Sequence, residues 1–254
     1  MWEAAIQQRG SFALQGTGRI RSVTVCLRRS FESQVHQVLP RAGEVITKSF
    51  EYDGGRHVSV YVPARPVEAI VYAADGQLIA PWGADLQGTA ARAVMVVGVH
   101  RAEDETERLH EYSPGFDPAR FAAHEQFFTA TVPQWIAAGF GVQLPSRRTA
   151  IFGVSAGGEL ALALGLRHPQ LFGAILCASP GAGFRPPSDL AQPIPRTYFV
   201  TGNREPFFRD NASRWVEALR EVGAEVRVAE RVGAHGDPFW RDEFPMMSRW
   251  AFEG

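Results

Sequence analysis

The sequence predicts an α/β protein with a mostly parallel sheet, antiparallel strands at its N-terminal side and helices on both faces. Short apolar runs bounded by turn residues alternate with helical stretches along most of the chain. This alternation is typical of parallel strands joined by right-handed helical crossovers. With 254 residues, of which 45% are hydrophobic, the chain is long enough for one large domain with a full core.

The predicted sheet starts with an antiparallel pair of strands over residues 44–51 and 56–62. The intervening Asp53-Gly54-Gly55 supplies the positive backbone angles that a hairpin turn needs. Residues 1–43 include an alternating polar and apolar stretch at 19–27. We interpret residues 1–43 as a β extension packed on the main domain, which spans residues 44–254.

Six further apolar runs have the pattern of strands that are covered on both faces. They span residues 68–73, 93–99, 149–153, 174–178, 196–201 and 225–230. Apolar residues at helical spacing, with start and stop signals, predict the helices. These span residues 118–138, 159–166, 207–221 and 238–252. The segment 181–195 is rich in proline, which predicts a surface loop.

The composition excludes several classes of function. A net charge of -1 gives no reason to expect nucleic acid or an anionic membrane surface as a partner. Cys26 and Cys177 lie in apolar, strand-like stretches, which predicts two buried thiols rather than a disulfide. The sequence contains no HExxH or CxxC motif, so we expect no metal and no cofactor.

The N-terminus lacks the basic start and apolar core of a secretory signal. No run of about 18 apolar residues could span a bilayer. We therefore expect a cytoplasmic protein that is not embedded in a membrane. Its oligomeric state stays open, with a homo-oligomer among the possibilities.

A candidate nucleophile lies in Gly153-Val154-Ser155-Ala156-Gly157, which matches the G-x-S-x-G nucleophile elbow. In a chain with 25 glycines the pattern alone is weak. Its position between a predicted strand and a predicted helix makes Ser155 a specific candidate, because the motif requires that context. The alternative is a small-residue turn with a solvent-facing serine.

A serine nucleophile needs a base to accept its proton and an acid to orient that base. On this type of fold the chain order is Ser, acid, His. His235 follows the last predicted strand, at the sheet edge where sites assemble. His168 lies at the far end of the elbow helix. The other candidates precede Ser155 and break the order: His57, His100 and His110.

Glu205 is the first candidate for the acid, since it follows the strand at 196–201. Pro206 would occupy the first helical position, where the helix dipole stabilises a nearby carboxylate. Asp210 lies a helical turn further from the sheet edge, and Asp237 is interpreted as a cap of the last helix. The alternative for Glu205 is an ordinary carboxylate at a helix start.

Ester hydrolysis also needs two backbone N–H groups directed at the developing oxyanion. One comes from the residue after the nucleophile, which here is Ala156. The second is expected from the loop that follows the strand at 68–73, where Gly76 and Gln77 are the candidates.

Five motifs follow one another along the chain: Tyr72-Ala73-Ala74-Asp75-Gly76-Gln77, Val97-Gly98-Val99 with Arg108-Leu109-His110-Glu111-Tyr112, the elbow, Thr201-Gly202-Asn203-Arg204-Glu205-Pro206 and Gly233-Ala234-His235-Gly236-Asp237-Pro238-Phe239-Trp240. Taken together, they resemble the putative esterase family that includes esterase D and the enterochelin (siderophore) esterases. The resemblance covers residues 44–252 and implies an α/β-hydrolase fold. It implies roles for Ser155 as nucleophile, His235 as base and Glu205 as acid, although some siderophore esterases of this kind use a Ser-His pair.

Two further residues are candidates for substrate binding. Arg108 is expected either to pair with Glu111, three residues on, or to contact an anionic group of the substrate. Trp240 flanks the candidate base, as Phe207, Phe208 and Phe239 flank the acid and base. These aromatic residues either line an acyl or aryl pocket or belong to the core.

The leading functional interpretation is a serine carboxylic-ester hydrolase that forms an acyl-enzyme with a small-molecule ester, a siderophore among the candidates. An acyltransferase with the same nucleophile is the first alternative, since the superfamily that the chain resembles contains mycolyltransferases. A non-catalytic binding module that kept the fold is the second.

Overall fold

A computed structural model describes residues 43–88 and 92–253. The strand expected at 19–27 and Cys26 lie outside these residues. Within them, eight strands form one sheet in the order β1-β2-β4-β3-β5-β6-β7-β8. The strands are β1 Val45–Phe50, β2 Arg56–Tyr61, β3 Ala69–Ala73, β4 Val94–Val99, β5 Thr149–Val154, β6 Ala174–Ala178, β7 Arg196–Gly202 and β8 Val226–Arg231.

The helices surround this sheet. The α-helices are α1 Gly76–Ile79, α2 Glu105–Tyr112, α3 Pro118–Gln126, α4 Val132–Phe140, α5 Ala156–Arg167, α6 Pro206–Glu221 and α7 Phe239–Phe252. A 3-10 turn, Ala80–Leu86, follows α1, and another, Ser146–Arg148, precedes β5. A π-helical turn, Phe127–Thr131, joins α3 to α4.

The sheet is mostly parallel, as the sequence predicts. β2 pairs antiparallel with β1 and β4, and every other neighbouring pair is parallel. The central strands β3, β4, β5 and β6 are buried along their whole length. Two apolar clusters, one on each side of the sheet, form the core. The fold therefore brings the carboxyl ends of the central parallel strands to one edge, where sites assemble in such sheets.

Most elements lie within one or two residues of their predicted bounds, and segment 181–195 contains no helix or strand, as predicted. Three differences have physical causes. The elbow helix begins at Ala156, because its first turn is built from small residues that carry no apolar pattern. The predicted helix 118–138 contains the π turn, which ends two residues before Pro133, a residue that has no N–H to continue regular bonding.

The third difference is α2, which the sequence does not predict. Asp104 caps its start by accepting hydrogen bonds from the N–H groups of Thr106 and Glu107. Its buried residues are Arg108, Glu111 and Tyr112 rather than aliphatic side chains. Because polar residues form the inward face, a search for apolar periodicity misses this helix.

Cys177 is a buried free thiol in β6, as expected, and burial raises its pKa well above the usual range. In the described part of the chain, no helix has both the length and the apolar character needed to cross a membrane.

Candidate active site

Ser155 occupies a sharp turn between β5 and α5. Its backbone angles, φ 56° and ψ -122°, lie in a region that L-residues rarely adopt. A Cβ on Gly153 would lie 1.8 Å from the carbonyl oxygen of Gly157, so this turn accepts only glycine there. The Ser155 N–H donates to the carbonyl of Ala178, 3.0 Å away, which anchors the turn to the end of β6. Steric crowding in the turn thus explains why the motif uses small residues.

His235 contacts the Ser155 hydroxyl. Its Nε2 lies 3.0 Å from Oγ of Ser155, and its Nδ1 lies 2.9 Å from Oε2 of Glu205. The loop that carries His235 is closed by Asp237, whose side chain accepts a hydrogen bond from the Ala234 N–H at 2.7 Å. Asp237 makes no cap hydrogen bond to α7, so its predicted role as a helix cap is wrong.

Glu205 is buried, with 1% of its side chain exposed. Oε1 accepts hydrogen bonds from the Gly202 N–H and from the Ser179 hydroxyl, each at 2.5 Å. The other carboxylate oxygen, Oε2, contacts Nδ1 of His235. Pro206 opens α6, as predicted, and Glu205 is its N-cap residue without a side-chain cap bond. Asp210 is exposed further along α6.

Aromatic rings fix the orientation of His235. Phe208 stacks on the imidazole, with the ring centroids 3.5 Å apart and an interplanar angle of 11°. Trp240 meets it edge to face at 4.8 Å, and its indole N–H donates to Oγ of Ser179, 2.8 Å away. Phe239 is buried in the core. Trp240 therefore braces both the histidine and the serine that holds Glu205.

The loop after β3 lies against the start of the elbow helix. Asp75 adopts a left-handed conformation, φ 50° and ψ 43°, directly before Gly76 and Gln77 in the first turn of α1. A Cβ on Gly76 would lie 2.1 Å from the carbonyl group of Gly98, and one on Gly157 would lie 2.8 Å from Oδ2 of Asp75. The two predicted sources of oxyanion donors, α1 and the Ala156 turn, are thus in adjacent segments.

Arg108 does not pair with Glu111, so that prediction is wrong. Its guanidinium donates to both carboxylate oxygens of Asp75, at 2.8 and 2.9 Å. Glu111 instead accepts two hydrogen bonds from Arg56, both at 2.8 Å. Although burial lowers the pKa of Arg108, bonding to Asp75 outweighs it and raises that pKa. Each buried carboxylate has its own guanidinium, a strong bidentate arrangement.

Sequence reasoning assigned no role to four buried residues in the region of Ser155, His235 and Glu205. These are Ser179, Asp75, Tyr112 and Glu159. Ser179 follows β6 at the edge where the site lies, so its position was an available signal. Tyr112 accepts a hydrogen bond from the Asp75 N–H at 3.0 Å. Glu159 accepts a hydrogen bond from Ser113, and burial raises the pKa of Glu159.

No group of three or more His, Cys, Asp or Glu in the described ranges could hold a metal ion.

The comparison with known families identifies the class of protein. Residues 49–251 match the family described as Putative esterase. The chain belongs to this esterase family. It is accordingly a carboxylic-ester hydrolase with an α/β-hydrolase fold. No curated protein sequence matches the chain significantly.

Solved structures share the fold of this esterase. A ferulic acid esterase superposes with a TM-score of 0.66 at 17% identity, covering 84% of this chain and 99% of that one. An S-formylglutathione hydrolase from Staphylococcus aureus gives 0.60 at 12% identity, covering 84% and 99%. An enterochelin esterase from Shigella flexneri gives 0.70 at 16% identity, covering 84% of this chain but only 60% of the longer protein.

Proposed function

We propose that the esterase hydrolyses a small-molecule ester through an acyl-enzyme on Ser155. The observation that carries this proposal is the continuous contact from Ser155 Oγ through His235 to Glu205, at 3.0 and 2.9 Å. Both distances lie within hydrogen-bond reach, as nucleophile, base and orienting acid require.

In the proposed reaction Ser155 Oγ attacks the ester carbonyl while its proton passes to Nε2 of His235. The tetrahedral intermediate collapses, the bond to the alcohol oxygen breaks, and His235 returns the proton to the departing alcohol. A water molecule then attacks the acyl-enzyme, again with His235 as base, and releases the carboxylic acid and the free Ser155. Glu205 accepts the hydrogen bond from Nδ1–H of His235 and stabilises the imidazolium.

The oxyanion is proposed to accept hydrogen bonds from the N–H groups of Ala156 and Gly76, with Gln77 as the alternative to Gly76. Each N–H belongs to the first turn of a helix, where no intrahelical acceptor is available. One such donor contributes about 3 kcal/mol to transition-state stabilisation.

The geometry favours a triad over a Ser-His pair. Glu205 is buried, held by two donors on one oxygen, and presents the other oxygen to His235. A carboxylate in this position holds the imidazole in the tautomer that accepts the serine proton. The substrate is a small carboxylic ester, with siderophores among the candidates. A cytoplasmic location and a possible homo-oligomer stay predictions.

The test is hydrolysis of an ester panel by the wild type and by Ser155→Ala, His235→Ala and Glu205→Gln. We expect the first two to lose about a million-fold in kcat and Glu205→Gln to lose about 10⁴-fold, as in other serine hydrolase triads. Near-full activity of Glu205→Gln would replace the triad by a Ser-His pair. Ester formation with an added alcohol that outruns hydrolysis would favour an acyltransferase instead.

A further inference from the structure

The most exposed apolar side chains of the described residues lie in segments that carry or contact the candidate site. Four large apolar residues are at least half exposed: Leu78 at 54%, Phe116 at 54%, Phe207 at 56% and Val232 at 81%. We call these four residues the apolar rim. The other exposed large apolar side chains of the described residues lie between 38% and 47%. Single exposed apolar residues are normal, but a concentration of them indicates a binding surface.

Three members of the rim are within three residues of a proposed catalytic residue along the chain. Leu78 follows Gly76 by two residues in α1. Phe207 follows Glu205 by two residues, and its ring lies 5.1 Å from Phe208, the ring that stacks on His235. Val232 precedes His235 by three residues.

Phe116 reaches the site through the loop after β6. A Cβ on Gly183 would lie 2.6 Å from the Phe116 ring, so the ring packs on that backbone. In the same loop, the Gly181 N–H donates to the carbonyl oxygen of Ser155 at 3.3 Å. The four rim residues therefore belong to, or pack on, the segments that carry the proposed oxyanion donors, the acid, the base and the elbow.

The polar cleft next to Gln77 does not complement an anion. This cleft, of about 750 Å³, contains three arginines. Arg56 pairs with Glu111 and Asp53, and Arg101 pairs with Glu105. The third, Arg120, contacts Asp53 and Glu107. Since acidic side chains already neutralise these guanidinium groups, an anionic substrate group would meet net repulsion.

We propose that the esterase selects uncharged esters with apolar groups that lie on the apolar rim. This inference rests on the proposed function and adds the substrate class to it. Burial of each methylene stabilises a complex by an amount equivalent to about fourfold in affinity, and a partly open rim should give about half of that free energy. We therefore expect kcat/KM to rise about twofold per methylene from 4-nitrophenyl acetate to hexanoate.

The decisive comparison uses 4-nitrophenyl hexanoate and the 4-nitrophenyl monoester of adipic acid. The acyl chains have equal length, and only the adipate ends in a carboxylate. We expect kcat/KM for hexanoate to be about tenfold higher or more, because the rim would desolvate that charge. Equal rates, or faster hydrolysis of the adipate, would overturn the inference.

Matched variants locate the effect on the rim. Leu78→Gln and Val232→Thr should lower the ratio of hexanoate to acetate hydrolysis about threefold or more. Val228→Thr makes the same change as Val232→Thr at an exposed position on β8, and Met246→Gln introduces glutamine at an exposed apolar position on α7. Both should leave the ratio unchanged. An unchanged ratio in both rim variants, or an equal fall in the controls, would overturn the inference.

The proposed function is tested separately in the same assay. If the wild type hydrolyses both chains equally but Ser155→Ala is inactive, the inference fails and the proposed function stands. If Ser155→Ala hydrolyses these esters at the wild-type rate, the proposed function itself fails, and this inference with it.

Discussion

Arg108 clamps Asp75, the residue directly before the proposed oxyanion loop, with two hydrogen bonds of 2.8 and 2.9 Å. Asp75 has a left-handed backbone, and its N–H donates to Tyr112. Arg108 and Tyr112 lie one turn apart on α2, so a single helix holds both the side chain and the backbone of Asp75. We infer that α2 acts through Asp75 to position the loop that contains Gly76.

Replacing Arg108 should therefore impair catalysis more than substrate binding. We expect Arg108→Ala to lower kcat about 10-fold to 100-fold with a small change in KM, since a displaced donor loses transition-state stabilisation. Added guanidine should restore part of the loss. Arg249→Ala, which removes an exposed ion-paired arginine on α7, serves as the control. A rise in KM at constant kcat would show instead that Arg108 binds substrate.

Ser179 should matter through Glu205. Its hydroxyl donates to Glu205 and accepts from Trp240, and its own backbone has a φ of 48°. Ser179→Ala leaves one buried carboxylate oxygen with a single donor, and we expect kcat/KM to fall about tenfold, which corresponds to about 1.4 kcal/mol.

Trp240→Phe is the matched variant for that test. It keeps an aromatic ring beside His235 but removes the indole N–H and the second ring of the indole. Because the Ser179 hydroxyl still donates to Glu205, we expect a smaller loss than in Ser179→Ala. A larger loss in Trp240→Phe would mean that the indole of Trp240, rather than the Ser179 hydroxyl, orients the acid and base.

Gly98 on β4 should set the position of the oxyanion loop. A Cβ at this position would lie 2.6 Å from Cα of Gly76 and 2.9 Å from its carbonyl oxygen. Gly98→Ala should lower kcat about 100-fold, as loss of an oxyanion donor does, and lower the free energy of unfolding by about 1–3 kcal/mol. Gly139→Ala in α4, where the nearest atom is 3.4 Å away, should keep full activity. Similar activities of the two variants would show that the position of the loop does not depend on the absence of a side chain at Gly98.

The parts of the candidate site that depend on local chemistry are those that the sequence predicts. Ser155 and Glu205 each follow a strand and precede a helix, a context visible in the chain itself. The sequence did not predict the pairs that are distant along the chain. Arg108 lies 33 residues from Asp75, and Ser179 lies 26 residues from Glu205. Charge complementarity alone offered Glu111 to Arg108 just as well. Only the sheet register and the inward polar face of α2 decide which carboxylate each arginine meets.

His124 should destabilise the fold in acid. It is fully buried, and neither ring nitrogen has a hydrogen-bond partner in the described ranges. Burial, followed by the charges of Arg56 and Arg120, lowers its pKa to about 3. Because the folded state favours the neutral ring, the stability it contributes is present above about pH 6.5 and is lost as the pH falls toward 3.

We expect His124→Phe to reduce the slope of unfolding free energy between pH 6 and 4 by up to about 1.4 kcal/mol per pH unit. The ring centroids of Tyr112 and Phe128 lie 5.6 and 6.0 Å from that of His124, so both rings should pack against the phenyl ring of the variant. Urea unfolding at several pH values measures the slope. Burial also lowers the pKa of His100, to about 4, and His100 contributes equally to the pH dependence of the unfolding free energy in both proteins. Parallel pH profiles for wild type and variant would contradict the prediction.

The central claim is that Ser155 is the nucleophile, and the intact mass of the esterase after reaction with a fluorophosphonate tests it most directly. We predict one adduct, on the peptide that contains Ser155, in the wild type and in Ser213→Ala, which alters an exposed serine on α6. We predict no adduct on Ser155→Ala. Labelling of Ser155→Ala at the wild-type rate, or an unlabelled wild type that still hydrolyses esters, would contradict the claim.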